Sequence, residues 1–400
     1  MGLVANPLEQ LTESELRAQR TSVKWRAFPP DVLPLWVAEQ DSVVAQPVVH
    51  AVAEAMARSD TGYVASGRDY AEALASFAID RWGWHVDVEH TAIVPDVMIG
   101  ITEVLRLLTD PGDNVVINSP VYPPFYAFVR SMDRELIESP LTDDYRIDLD
   151  HLSRAFAAAT SGGKRAAYLL CSPHNPTGTL HTTAELEAVA SLAEEFAVRV
   201  VADEIHAPLV YPHKVFVPYL SVRGGERGIS LMSASKGWNL AALKCAMALA
   251  GPEAAADLAR LPEEVGHGAG HIPEIAHIAA YRDGGMWLDA LLEGLDANRH
   301  LVADLLAEHL PTVGYRVPDA TYLAWLDCRS LDIDEPRVEP GLVTSNVGPA
   351  AIFEAEARVG LSAGAAFGSG GAGHARLNFA TSRAILTEAI ERMGRAVARR

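Results

Sequence analysis

Three short apolar runs, each closed by a polar residue, constrain this chain most. They read "RAAYLLCSP", "VRVVADEIH" and "GISLMSAS". Each is rich in strand-favouring residues and too short for an ordinary helix. None alternates apolar with polar, so neither face is left for water. That pattern belongs to strands buried on both sides of a largely parallel sheet. "TAIVP", "DNVVINSP", "RELIESPL" and "AALKCAMALAG" extend the series. Helical stretches such as "DVMIGITEVLRLL", "FYAFVRSM" and "TAELEAVASLAEEFA" fall between them. Strand and helix in alternation predict an α/β fold.

Three parts are expected. Residues 1–45 hold one short polar helix pattern and then "FPPDVLPLWVAEQD", whose prolines predict an extended arm. The arm is expected to pack with the C-terminal part. Residues 46–290 carry the strand series and form the large domain. Over 291–400 the pattern changes: a helix "DANRHLVADLLAEHL", an alternating strand "TYLAWLDC", a helix around "AAIFEAEARVG", a Gly-rich loop, a strand "HARLNFA" and a closing helix. That predicts a smaller α/β domain. Of 400 residues, 49% are hydrophobic, enough to fill a sizeable core in each.

Charge and cysteines narrow the function. A net charge of −19 with no basic run argues against nucleic acid or an anionic membrane as partner. Three widely spaced cysteines with no CxxC pair predict neither a metal site nor a disulfide framework. The N-terminus lacks the apolar core of a secretory signal, and no apolar stretch suits a membrane span. A cytoplasmic protein is expected.

In open parallel sheets, ligands bind beyond the carboxyl ends of the strands. Asn175, Asp203 and Lys236 stand there, after three successive runs. Singly, each is ordinary: a turn Asn, a capping Asp, a solvated Lys. In order, at the ends of neighbouring strands, they predict a site. The chain has only five lysines, and two of them, Lys236 and Lys244, fall within "SASKGWNLAALK".

The set "SPHNPTG", "ADEIH" and "SASKGWNLAALK" resembles pyridoxal-phosphate enzymes of the aminotransferase class I and II superfamily. "LPLWVAEQD", "PVYPPF", "TYLAWLDCR", "AAFGSGG" and "RLNFATSR" look like the branch of cystathionine β-lyases and cysteine-S-conjugate β-lyases. The resemblance covers nearly the whole chain. It implies an aspartate-aminotransferase-like fold of type I: a large domain with a mostly parallel seven-stranded sheet, and a smaller C-terminal α/β domain.

It also implies roles. Lys236 would carry pyridoxal 5'-phosphate covalently, its amine made nucleophilic by desolvation and a nearby cation. Asp203 would pair with the ring nitrogen and keep the ring an electron sink. Asn175 would donate to the phenolic oxygen, and Tyr122 would stack on the ring. Aminotransferases carry Tyr where this chain has His206, so His206 is either a partner of that oxygen or a packing residue. For the phosphate, the backbone N–H groups of Val97 and Met98 open a helix, Ser233 offers a hydroxyl, and Lys244 offers a point charge where arginine is commoner. Relatives often have Gly where Asp96 stands, and an acid aimed at phosphate would repel it. Asp96 is therefore expected to cap the helix. Tyr63 would reach the phosphate of a neighbouring subunit, which implies a homodimer with shared sites. Arg376 would grip the substrate α-carboxylate. Glu39 and Gln40 depart from the branch's usual pattern and would line the side-chain pocket.

The branch implies β-elimination from cystathionine or a related cysteine S-conjugate. Amino transfer between an L-amino acid and a 2-oxo acid uses the same residues and is the alternative. A regulator carrying such a domain would need a basic winged-helix module, which a 45-residue arm leaves little room for. A silent cofactor-binding scaffold would not need Lys236, Asp203 and Arg376 together. A dinucleotide enzyme would need a GxGxxG after an early strand, and there is none.

Overall fold

Each buried run forms a strand whose alternate side chains enter two different apolar layers. In the computed structural model, which describes residues 4–341 and 346–400, the strands in chain order are β1 Leu33–Pro34, β2 Thr91–Val94, β3 Asn114–Ile117, β4 Glu135–Glu138, β5 Ala166–Cys171, β6 Arg199–Asp203, β7 Ile229–Met232, β8 Ala246–Ala250, β9 Gly314–Tyr315, β10 Leu323–Asp327, β11 Val359–Gly360, β12 Ser362–Ala363 and β13 His374–Asn378. Seven of them make one sheet in the order β2-β8-β7-β6-β5-β3-β4. On β5, Ala167, Leu169 and Cys171 join a cluster with the helix Val97–Leu108, whereas Ala166, Tyr168 and Leu170 join one with the helices Leu149–Ala159 and Thr183–Glu195. Burial on both faces explains why the run has no polar alternation.

The sheet is parallel from β4 through β3, β5 and β6 to β7. Only β8 is reversed against both of its neighbours, β7 and β2. Residues that precede β8 therefore lie at the same edge as residues that follow β5, β6 and β7. This is the mostly parallel seven-stranded sheet that the resemblance implied.

A second sheet, ordered β12-β13-β10-β9, is antiparallel throughout. The alternation read in "TYLAWLDC" does not correspond to a wet face: Leu323, Ala324, Trp325 and Leu326 are all buried. β10 lies inside its sheet, and the helices Gly285–His309 and Arg383–Val397 and the Gly364–Phe367 turn supply apolar cover. The division expected at 290/291 falls inside the continuous helix Gly285–His309, which starts on one side of it and ends on the other.

The arm carries the short polar helix expected of it, and its proline-rich stretch, residues 28–41, forms no helix. It contains the helix Glu13–Gln19, opened by a capping box between Thr12 and Glu15, and a one-turn helix, Val23–Arg26. Its strand β1 pairs with β11, Leu33 opposite Val359, and Leu8, Leu16, Trp25, Leu33 and Leu35 belong to an apolar cluster that draws on both the second sheet and the seven-stranded one. An ion pair anchors its far end: Lys24 Nζ lies 2.8 Å from Asp41 Oδ2, with side chains 0% and 2% exposed. No helix among the described residues is long and apolar enough to cross a membrane.

Candidate active site

The carboxyl edge of the seven-stranded sheet opens into a cavity of about 340 Å³. Asn175, Asp203, His206, Ser233, Lys236, Lys244, Tyr122, Val97 and Met98 all line it. Strand direction brings them together. Asn175 follows β5, Asp203 ends β6, Ser233 and Lys236 follow β7, and Lys244 arrives from the other direction, just before the reversed β8. Gly178 holds the loop beyond Asn175 at a φ of +67°, and a Cβ there would fall 2.3 Å from Pro318.

The Lys236 amine donates to the Ala38 carbonyl at 2.8 Å. Burial lowers its pKa to about 8; the charges of Arg376 and Lys244 add to the fall, and Asp203 and Glu39 oppose it. Burial raises the Asp203 carboxyl to about 7, against a 3.2 Å hydrogen bond from the Ile205 N–H and the charge of Lys236. His206 is pushed down to about 3 by burial, then by Lys236 and Arg376, so its ring is neutral. Its Nδ1 is buried without a partner, and its ring meets Tyr322 edge-on at 6.2 Å. Burial, then the charge of Asp203, lifts the Tyr122 phenol to about 12, which keeps it protonated.

At the other end of the cavity the helix Val97–Leu108 begins. Asp96 is its cap, as expected: Oδ1 accepts the Ile99 N–H at 2.8 Å. Its Oδ2 also takes the Lys244 amine at 2.6 Å. The Ser233 hydroxyl donates to the Cys245 carbonyl at 2.8 Å and accepts the Ser235 N–H. It would have to turn to meet a phosphate.

Arg376 is not among the cavity-lining side chains but is joined to them. On β13, an inner strand of its sheet, it donates from Nη1 to Asn175 Oδ1 and from Nη2 to the Trp36 carbonyl, each at 3.0 Å. Its guanidinium lies 5.0 Å over the Phe367 ring. Its Nε is buried without a partner, a donor left for an anion. Tyr63 stands apart from the cavity, 91% exposed, tied by a bridge to Gly270.

Glu39 and Gln40 do not line the cavity. Gln40 is 1% exposed and turned into the protein, where its amide donates to the Lys236 carbonyl at 2.7 Å. Its backbone exchanges hydrogen bonds with the Asn239 side chain. Glu39 accepts from the Ser22 hydroxyl. Ala38, between Val37 and Glu39, presents its carbonyl to both Lys236 and the Tyr322 hydroxyl. Sequence reasoning passed over it because the working group is a main-chain oxygen. The dense run "LPLWVAEQD" was the only signal that this segment matters.

The donor set suits pyridoxal 5'-phosphate. It offers one poorly solvated amine, a buried carboxylate with a single protein donor among the described residues, an aromatic ring, and the free N–H groups of a helix start.

Comparison with known proteins fits this geometry. The model of the family "Aminotransferase class I and II" matches residues 34–393, so the chain belongs to that family. Within it, the chain falls in the branch of cystathionine and cysteine-S-conjugate β-lyases. It is 58% identical over 407 residues to a Mycobacterium tuberculosis protein named "Putative cystathionine beta-lyase", with 100% of both chains covered. It is 34% identical over 383 residues to "Cystathionine beta-lyase" of Corynebacterium glutamicum, covering 95% of this chain and 97% of the other. A crystal structure from Corynebacterium diphtheriae, described as a "putative plp-dependent beta-cystathionase", superposes with a TM-score of 0.88 at 33% identity, covering 97% of this chain and 98% of that one.

Proposed function

We propose that the chain is a pyridoxal-phosphate-dependent carbon–sulfur β-lyase that cleaves cystathionine, or a related cysteine S-conjugate, to a thiol, pyruvate and ammonia with uptake of one water. The observation that carries this reading is the Lys236 amine, with a pKa near 8, in one cavity with Asp203, Asn175 and the open helix start. The relatives named above support the elimination chemistry.

When bound, pyridoxal 5'-phosphate supplies an electron sink for the charge that develops at the substrate Cα. The chain's own residues do the rest. Lys236 would hold the cofactor covalently, and its Nζ is the base that would receive the substrate Cα proton. A pKa near the working pH suits both tasks. Asp203 would hold the ring nitrogen, Asn175 the phenolic oxygen, and Tyr122 would cover a ring face. His206, neutral and with an unpartnered Nδ1, lies within the same wall and packs edge-on against Tyr322 rather than carrying charge. Val97 and Met98 N–H groups, Ser233 and Lys244 receive the phosphate. Arg376, held flat by Asn175 and the Trp36 carbonyl, orients the substrate carboxylate.

The working unit is a homodimer in which Tyr63 of each copy completes the phosphate site of the other; the exposure of Tyr63 supports this. Three free, buried cysteines fit a reducing cytoplasm.

Incubation of the purified protein, loaded with cofactor, with cystathionine should release pyruvate and a thiol in equal amounts. Amino transfer dependent on a 2-oxo acid, with no pyruvate, would defeat the lyase reading. Full turnover by Lys236→Ala would defeat the whole mechanism.

A further inference from the structure

The phosphate end of the cavity contains a fixed negative charge. Asp96 and Lys244 both line it, beside Val97 and Met98. The Asp96 carboxylate is spent on both oxygens: Oδ1 accepts the Ile99 N–H at 2.8 Å, and Oδ2 takes Lys244 Nζ at 2.6 Å. The Gly100 N–H is also occupied, by the Asp96 carbonyl at 2.8 Å. Among the described hydrogen bonds, that leaves Val97 and Met98 as the N–H groups open at this helix start.

The two ionic partners differ in freedom. Asp96 is pinned by its cap to the helix, and its side chain is 23% exposed. Lys244 is 64% exposed on a flexible stem. A phosphate that settles on the open N–H groups meets a carboxylate that cannot swing away and an ammonium already engaged by it. Two anions then share one cation, and their mutual repulsion opposes binding.

We propose that Asp96 competes with the cofactor phosphate for Lys244, and so sets how tightly pyridoxal 5'-phosphate is held through its phosphate. This rests on the proposed cofactor. Asp96 is a positioning residue in this account. It loosens the phosphate end for any phosphate that settles there, while Lys236 secures the other end of the cofactor covalently.

The test compares cofactor-free wild type with Asp96→Asn. Asparagine keeps the helix cap and removes only the charge. Each protein is titrated with pyridoxal 5'-phosphate and, separately, with pyridoxal, which lacks the phosphate. The visible absorbance of the aldehyde joined to Lys236 reports binding. Asp96→Asn should tighten pyridoxal 5'-phosphate about tenfold, leave pyridoxal unchanged, and lose most of the gain when Lys244→Met is added. Inorganic phosphate should also block cofactor uptake at lower concentration in the variant. Unchanged or weaker binding of pyridoxal 5'-phosphate overturns the proposal, as does an equal shift for both aldehydes. Uptake of pyridoxal like wild type shows that the variant is folded. If wild type takes up neither aldehyde, the cofactor reading fails, a different outcome from failure of the competition.

Discussion

Below pH 8 most Lys236 side chains carry a proton, and only the unprotonated amine attacks an aldehyde. Capture of pyridoxal 5'-phosphate by the cofactor-free protein, measured by rapid-mixing absorbance, should therefore rise with pH and level off at a bend near pH 8 rather than climb on through 10. Asp203 opposes the fall in the Lys236 pKa, so Asp203→Asn should move that bend to lower pH. A bend at an ordinary lysine's pH would show that burial has not perturbed the amine. Residues of this kind were readable in the chain. Asn175, Asp203 and Lys236 announce themselves because each closes an apolar run, and a strand end is a place as well as a residue. The Ala38 carbonyl had no such mark, since every residue has one. Gln40, expected in the pocket because it departs from the branch's pattern, does not line the cavity; its amide holds the Lys236 main chain.

Strand direction decides which elements meet at the cavity. The reversal of β8 is what lets Lys244 arrive at the edge reached by Asn175, Asp203 and Lys236. Nothing in "AALKCAMALAG" states a direction, because an apolar strand reads alike both ways; only pairing fixes it. The arm segment beyond Lys24 is held twice, by the pairing of β1 with β11 and by a buried charge pair at Asp41. Removing one partner leaves the other charge uncompensated, at a cost of about 3–5 kcal/mol. Lys24→Met should lower stability by that order in urea unfolding, and should also slow cofactor capture, since Asp41 anchors the stretch that presents Ala38. Lys24→Met combined with Asp41→Asn should recover much of the loss, because Asn can still accept the Trp25 indole N–H that Asp41 now accepts at 2.8 Å. A single variant as stable as wild type would mean that the pair contributes nothing.

At the scale of the whole molecule, the 91% exposure of Tyr63 bears on the proposed homodimer. If each site borrows Tyr63 from its partner, two crippled proteins can repair each other. Lys236→Ala lacks the amine, and Tyr63→Ala lacks the borrowed phenol. Co-refolded in equal amounts, they should give about half heterodimers, each with one intact site, and so about a quarter of wild-type lyase activity. A mixture no more active than the average of the two variants would refute shared sites. The two-sheet architecture itself was legible, because buried runs, turns and helix periods are local signals. The join between its parts was not: the helix Gly285–His309 crosses it without a break, and β1 finds its partner at the far end of the chain.

That last pairing has a consequence for how the protein is made. On a ribosome, β1 emerges with the first few dozen residues, and its partner β11 follows only after residue 358. Through most of synthesis β1 has no partner strand, and the apolar side chains of the arm, Leu33 and Leu35 among them, lack the part of their cluster that the C-terminal residues supply. The large sheet, complete once Ala250 is out, can gather itself early, while the arm waits as a sticky tether for the last part of the chain. Arg376 and the Trp36 carbonyl meet in the same late event. On the proposed roles, the nascent protein holds Lys236 long before Arg376 is in place to orient a substrate, and activity should appear only with the full-length chain.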